Sequence, residues 1–282
     1  MKKVIVAKSA GFCWGVRRAF DKALDVAAEG PASEKFYTYG PLIHNPQAIA
    51  QLKEKGVDVL EEIPEKISGT VFIRTHGLSP DERARLKNSG AKIVDATCPD
   101  VGVIQGIVRK HVRKGYKIII IGDKKHPEVN ALLGYAEGDG VALLTKEEIL
   151  KLPADWPKLC VVSQSTQKEE KFFLLVKAIK DRYPDAEIFN TICASTTKRQ
   201  EETKNLANGV DAMVVVGGHN SANTAKLTQV SEDVGTKTLQ IETEDELKAS
   251  DFEGFDTIGV TAGASTPTWL IERVVKKLTS FA

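Results

Sequence analysis

The chain has 282 residues, 42% hydrophobic and 27% charged, the balance of a folded, water-facing protein longer than one typical domain. Lys and Arg number 39 against 38 Asp and Glu, so the net charge is +1, which argues against nucleic acid as the main partner because phosphate-backbone binding draws on a basic excess. No run of 18 apolar residues is available to span a membrane, and the apolar start KVIVA ends at Lys8, too short for a secretion signal; a cytoplasmic protein is expected.

In chain order, KVIVA (3–7) predicts a strand, and Cys13 follows it. The helical stretch VRRAFDKALDVAAEG then stops at Gly30. KFYTYG (35–40) predicts a strand that opens into the polar loop PLIHNP, with His44. A helix and the short strand VDVL come next. TVFIRTHG (70–77) is a further strand ending at His76, and a helix is expected around DERARLKNSG.

The same run then starts again. AKIVDAT precedes Cys98, the helical VGVIQGIVRKHVRKG stops at Gly115, and the strand YKIIIIG opens into DKKHPE, with His126 and Glu128. A helix, the strand VALL, the strand and loop KLCVVSQST (158–166) and the helix FFLLVKAIKDRY complete it. On the third pass AEIFNTI precedes Cys193, TTKRQEETKNLANG stops at Gly209, and DAMVVVG opens into GHNSAN. A helix, TLQI, DTIGVTAGAST (256–266) and the helix WLIERVVKKL end the chain.

Three passes predict three pseudo-threefold-related α/β domains with small parallel sheets: residues 14–97, 98–192, and 193–282 together with the N-terminal strand 1–13. The third pass has no strand after its last helix, so the strand at 3–8 is expected to complete the third sheet. Parallel α/β sheets bind ligands at the carboxyl ends of their strands, where all the named loops fall. A central cavity follows from that reading.

Cys13, Cys98 and Cys193 occupy the same place in each pass, before a helix whose N-terminus favours a thiolate. Three independently buried cysteines would not share a place in a repeat, so a metal site is expected. Short C-x-x-C pairs are absent, which excludes a zinc ribbon, but spacing does not separate iron from zinc. A [4Fe–4S] cluster held by three cysteines leaves one iron without a cysteine ligand, open to act as a Lewis acid. Cys160, in the apolar KLCVV, reads as core. His44, His76 and His126, with Ser165, Thr166, Ser221, Asn223, Ser265 and Thr266, supply polar loops at helix starts that suit a phosphate-bearing small molecule. Taken singly, each Ser, Thr or Asn reads as a helix cap. Glu128 reads either as a complement to a helix dipole or as a proton donor. His111 reads as part of a solvated basic helix face, His219 as a lesser contact, and KRQEETK after Cys193 as a solvated face.

The motifs GFCWGV, DATCP, HPEV, SQST, ICAST, NSANT and TAGAS, in this order, resemble the 4-hydroxy-3-methylbut-2-enyl diphosphate reductase family, IspH or LytB, from residue 11 to about 270. The resemblance implies three α/β domains around a [4Fe–4S] cluster on Cys13, Cys98 and Cys193, with a non-cysteine-ligated apical iron. It implies reductive removal of the substrate's C4 hydroxyl, giving isopentenyl and dimethylallyl diphosphates, as the last step of the methylerythritol phosphate route. Ferredoxin or flavodoxin is the implied electron donor. Glu128 is the implied proton source, with His126 orienting the substrate, Ser165 on its hydroxyl and Thr196 lining the cavity near Glu128. His44, His76, His126, Thr166, Ser221, Ala222, Asn223 and Ser265 are the implied substrate contacts. Ser165 stands where the family often has Thr, and Ala222 where it commonly has Ser. Two other readings use the same cysteines: a non-redox hydro-lyase with an open iron, which needs no reductant, and an iron–sulfur or zinc sensor, which would need an effector surface.

Overall fold

The computed structural model describes residues 2–281. Its elements are β1 (Lys3–Val6), α1 (Trp14–Glu29), β2 (Phe36–Tyr39), α2 (Pro46–Glu54), β3 (Val57–Leu60), β4 (Thr70–Ile73), α3 (Pro80–Asn88) and β5 (Lys92–Asp95). They continue with α4 (Pro99–Val112), β6 (Lys117–Ile121), α5 (Pro127–Tyr135), β7 (Gly140–Leu143), α6 (Lys146–Leu150), β8 (Leu159–Ser163), α7 (Glu169–Arg182) and β9 (Glu187–Ile188). Last come α8 (Ala194–Ala207), β10 (Ala212–Val216), α9 (Ala222–Glu232), β11 (Lys237–Ile241), β12 (Thr257–Ala262) and α10 (Thr268–Thr279).

The chain falls into two compact units. The first holds the segment up to Arg18, Ile43–Glu54, and everything from Ala194 onward. Its four-stranded parallel sheet has the order β1-β12-β10-β11. The N-terminal strand joins at the edge, in register from Lys3 opposite Thr257 to Val6 opposite Val260. The second unit holds Ala19–Leu42 and Lys55–Cys193, with two parallel sheets, β3-β2-β4-β5 and β7-β6-β8-β9. All three orders are one order: β1 takes beside β12 the place that β5 takes beside β4 and β9 beside β8. A strand from the far end of the chain thus completes the repeat, covering the edge of β12 that would otherwise be left open.

The central strands are apolar runs buried on both faces, as parallel sheets covered by helices require. Ile118–Ile121, Val161 and Val162 lie in the second unit, and Val214–Val216 with Val260 in the first. Helix starts are set by local chemistry. Pro46, Pro80, Pro99 and Pro127 are each the first helical residue, where the missing N–H costs nothing. Ser79 and Glu82 form a capping box on α3. Among the described residues no helix is long and apolar enough to cross a membrane.

Two expectations are corrected. His111 is not on a solvated face. It is 5% exposed and continues the buried ridge of Ile104 and Val108 on α4. Its Nδ1 meets Ile107 O at 2.7 Å and its Nε2 meets Glu187 at 3.2 Å, while its ring packs on Tyr116 and Phe189. Helix α8 is not merely a solvated charged helix either: Thr196, Arg199, Thr203 and Ala207 form a buried stripe along it.

Candidate active site

The three cysteines share one local geometry. Each is the residue before a helix: Cys13 before α1, Cys98 before α4, Cys193 before α8. Cys13 O accepts from Arg17 N and Cys98 O from Gly102 N, both at 2.9 Å, the first bonds of their helices. The N–H of each cysteine donates to a carbonyl in the loop after a neighbouring strand. Cys13 reaches Ala264 O at 3.0 Å, Cys98 reaches Thr75 O at 2.9 Å, and Cys193 reaches Ser165 O at 2.9 Å. Those acceptors sit at equivalent places after β12, β4 and β8. All three cysteines are partly exposed, and among the described residues none is in a disulfide. Cys160 differs: it is fully buried in β8, and burial, with Glu187 nearby, pushes its thiol up to about 12. The expectation that it is core holds.

In the second unit the loops after the strands bring several expected residues together. His76 follows β4 and His126 follows β6; their rings meet edge to face at 5.1 Å. Gly77, directly after His76, has φ +72°, and a Cβ there would lie 2.2 Å from Gln105 Nε2, so the tight turn needs glycine. His126 is the N-cap of α5, its Nδ1 accepting the Glu128 N–H at 3.2 Å. Glu128 is 1% exposed, and its two carboxylate oxygens take the Ser165 N–H and the Ser165 hydroxyl, each at 2.6 Å. Ser165 therefore bonds Glu128 through its N–H and Oγ, and Cys193 through its carbonyl. One residue ties a buried carboxylate to a cysteine. Thr166 Oγ1 accepts from Gln164 Nε2 at 3.1 Å, and the same Gln164 accepts the Asp123 N–H. Cys193 Sγ donates to Asp100 Oδ2 at 2.9 Å, a contact that sequence reasoning missed. Its only sequence signal is an acidic residue two places after Cys98.

In the first unit, His44 precedes α2, and its carbonyl accepts from Ser265 Oγ at 2.9 Å. Ser221 is the N-cap of α9, its Oγ accepting the Thr224 N–H at 3.3 Å. Ala222 and Asn223 occupy the first turn, at the positive end of the helix dipole. Asn223 Nδ2 is buried with no hydrogen-bond partner among the described residues. Thr196 is 5% exposed in the first turn of α8. His219 is exposed and pairs with Glu246 at 3.2 Å. Sequence reasoning also missed Arg199 and Glu202 of α8. Arg199 donates to Ser9 O, to Ala262 O at 2.9 Å and to Gly11 O at 3.0 Å, and Glu202 accepts the Lys8 and Ser9 N–H groups.

A family model described as LytB protein matches residues 4–279. The chain belongs to the LytB family. Among curated relatives, the 4-hydroxy-3-methylbut-2-enyl diphosphate reductase of Geotalea daltonii is 42% identical over 280 residues, covering 99% of this chain and 98% of that one. That of Opitutus terrae is 44% identical, covering 98% and 99%. A solved (E)-4-hydroxy-3-methyl-but-2-enyl diphosphate reductase, described as the terminal enzyme of the non-mevalonate pathway, matches with a TM-score of 0.73 at 39% identity, covering 99% of both chains. The solved E-1-hydroxy-2-methyl-but-2-enyl-4-diphosphate reductase of Plasmodium falciparum matches with a TM-score of 0.92 at 27% identity, covering 99% of this chain and 88% of that one. The seven LytB-like motifs of this chain all fall on strand-end loops and helix starts.

Proposed function

We propose that this LytB-family chain reduces 4-hydroxy-3-methylbut-2-enyl diphosphate to isopentenyl and dimethylallyl diphosphates. The observation that carries the chemistry is Ser165, bonded at once to the buried Glu128 carboxylate and to the Cys193 backbone. A proton donor and an electron-delivering ligand set need that adjacency.

The donor set fits an iron–sulfur group. Thiolate sulfur is what such clusters take, and three cysteines with one repeated helix-start geometry supply it. Cys13, Cys98 and Cys193 would hold a [4Fe–4S] cluster with one iron not ligated by cysteine. When bound, the cluster supplies electrons one at a time and a Lewis-acidic iron. The chain's own groups do the rest. In the structure the Ser165 hydroxyl donates to Glu128 Oε2; once Glu128 takes up a proton there that bond reverses, and Ser165 passes its own proton to the C4 oxygen of the substrate as it accepts the one from Glu128. The C4–O bond breaks, oxygen leaves as water, and two electrons and two protons balance the reaction. His126, whose Nδ1 takes the Glu128 N–H, would orient the substrate, and Thr196 would line the cavity. Asn223 Nδ2, the first-turn N–H groups of α9 and the Ser221 hydroxyl bind the diphosphate oxygens, joined by His44, His76, Thr166 and, once it turns from His44 O, the Ser265 hydroxyl. Ala222 contributes its backbone N–H and no hydroxyl. Each sheet with its helices is one domain of the three read from the repeat, and an iron–sulfur or flavin protein, ferredoxin or flavodoxin, supplies the electrons in the cytoplasm.

The test is anaerobic turnover of the diphosphate by reconstituted protein with reduced methyl viologen. Formation of both five-carbon diphosphates only with reductant is expected. No turnover by protein with full iron and sulfide would overturn the reading, and turnover without reductant would replace it with a hydro-lyase.

A further inference from the structure

Cys13 reaches its place differently from the other two cysteines. Before Cys98, the Thr97 N–H bonds Asp95 Oδ1 at 2.9 Å and Arg83 holds that same carboxylate at 2.7 Å, both from nearby in sequence, with Lys22 Nζ of α1 on the Asp95 carbonyl at 3.0 Å. Before Cys193, Thr191 Oγ1 accepts the Ser163 N–H at 2.8 Å and donates to Ser163 O at 2.7 Å, tying the approach to the end of β8. The approach to Cys13 is the loop 8–12 between β1 and α1. Its backbone is met from α8, about 190 residues away in sequence.

Two side chains do this. Arg199, 3% exposed, spreads its guanidinium over the carbonyls of Ser9, of Gly11 at 3.0 Å and of Ala262 at 2.9 Å. It thereby joins the loop leading to Cys13 and the end of β12. Just beyond Ala262 lies Ala264, whose carbonyl takes the Cys13 N–H. Gly11 has φ +101°, a left-handed turn. One turn along α8, Glu202 accepts the Lys8 N–H at 2.7 Å and the Ser9 N–H at 2.8 Å. Burial works to raise its carboxyl, and the Ser9 and Lys8 bonds outweigh it, holding it below the usual range. A planar fork with five N–H donors can serve several carbonyls together, which a lysine cannot.

We propose that Arg199 and Glu202 are positioning residues that hold Cys13 for the iron–sulfur group. The inference rests on Cys13 being a ligand. It assigns to a charged helix face a role in presenting one ligand and not the other two.

The experiment compares the cysteines within one molecule. Iron-free full-length protein is alkylated with iodoacetamide, and each cysteine is followed by peptide mass spectrometry. The buried Cys160 reports global unfolding. Arg199→Met and Glu202→Gln are each expected to change the Cys13 rate about tenfold, the scale of a local opening, with Cys98 and Cys193 within about twofold of the parent. Arg199→Lys is expected to fall between. After anaerobic reconstitution, Arg199→Met and Glu202→Gln should lose iron to a chelator faster than the parent. If the Cys13 rate moves no more than those of Cys98 and Cys193, the proposal is overturned. Should Arg199→Met label Cys160, that variant has unfolded and the same comparison on Glu202→Gln decides. Iron retained by Cys13→Ser would instead overturn the ligand assignment, and with it the role given to the clamp.

Discussion

Replacing Glu128 by Gln separates chemistry from folding. The carboxylate makes two bonds of 2.6 Å, to the N–H and Oγ of Ser165, in a site that is 1% exposed. A hydrogen bond to a charged group contributes about 1.5–3 kcal/mol, and a neutral one about 1 kcal/mol. Gln keeps the shape and one acceptor oxygen for the Ser165 N–H. The Ser165 hydroxyl can then turn and accept from the new amide. Two charge-assisted bonds are thus exchanged for two neutral ones, a net loss of about 1–4 kcal/mol. That lowers the melting temperature by a few degrees. Turnover is another matter, because an amide has no acidic proton to transfer. Proton donation contributes about 10²–10⁴-fold, and 10²-fold corresponds to about 2.7 kcal/mol of barrier. The assay measures both on one preparation: thermal unfolding, iron and sulfide content, and anaerobic turnover with reduced methyl viologen. Expected are near-normal iron, a slightly lower melting temperature and turnover reduced at least about 10²-fold. Near-normal turnover would remove Glu128 from the mechanism. Loss of iron together with turnover would show that the Glu128–Ser165 contact serves the Cys193 loop and not the proton.

Cys13→Ser, Cys98→Ser and Cys193→Ser should each fail to hold iron after reconstitution, whereas Cys160→Ser should keep it, since Cys160 is core; a folded, iron-free Cys160→Ser protein contradicts this. The raised Cys160 thiol also makes a pH prediction. A folded pKa of about 12 against an ordinary value of 9.0 means the folded state keeps a proton that the unfolded chain releases. Its contribution to stability is fully present below pH 9 and is lost as pH rises towards 12, so the stability gap between the parent and Cys160→Ala should narrow in that window; a constant gap in denaturant titrations counts against it. His111→Ala removes two aromatic contacts and the bond to Ile107 O, a loss of about 2–4 kcal/mol. Iron content and turnover should stay normal at low temperature, and reduced turnover by folded protein would mean that His111 has a role in the site.

The sequence by itself determined the repeat and the strand-end loops that carry most of the candidate site. Strand, cysteine and helix recur because each residue of that pattern acts locally: alternation and apolar runs make strands, a proline or a capping side chain opens a helix, a glycine stops one. Loops at strand ends are set by the same local code, so His76, His126, Ser165 and Ser221 could be assigned to them from the chain alone. His111 was legible in principle, since it stands at helical spacing from Ile104 and Val108, but its charge-bearing neighbours on α4 mask the signal. Only the tertiary structure decided what Arg199, Glu202 and the Asp100 carboxylate do. Their partners are backbone groups of the loop at 8–11, the Ala262 carbonyl or the Cys193 sulfur, between 63 and 194 residues away. A polar side chain carries no mark of whether water or a distant carbonyl will satisfy it. Periodicity reports apolar burial; a buried polar group becomes visible only when folding brings its partner within hydrogen-bond reach.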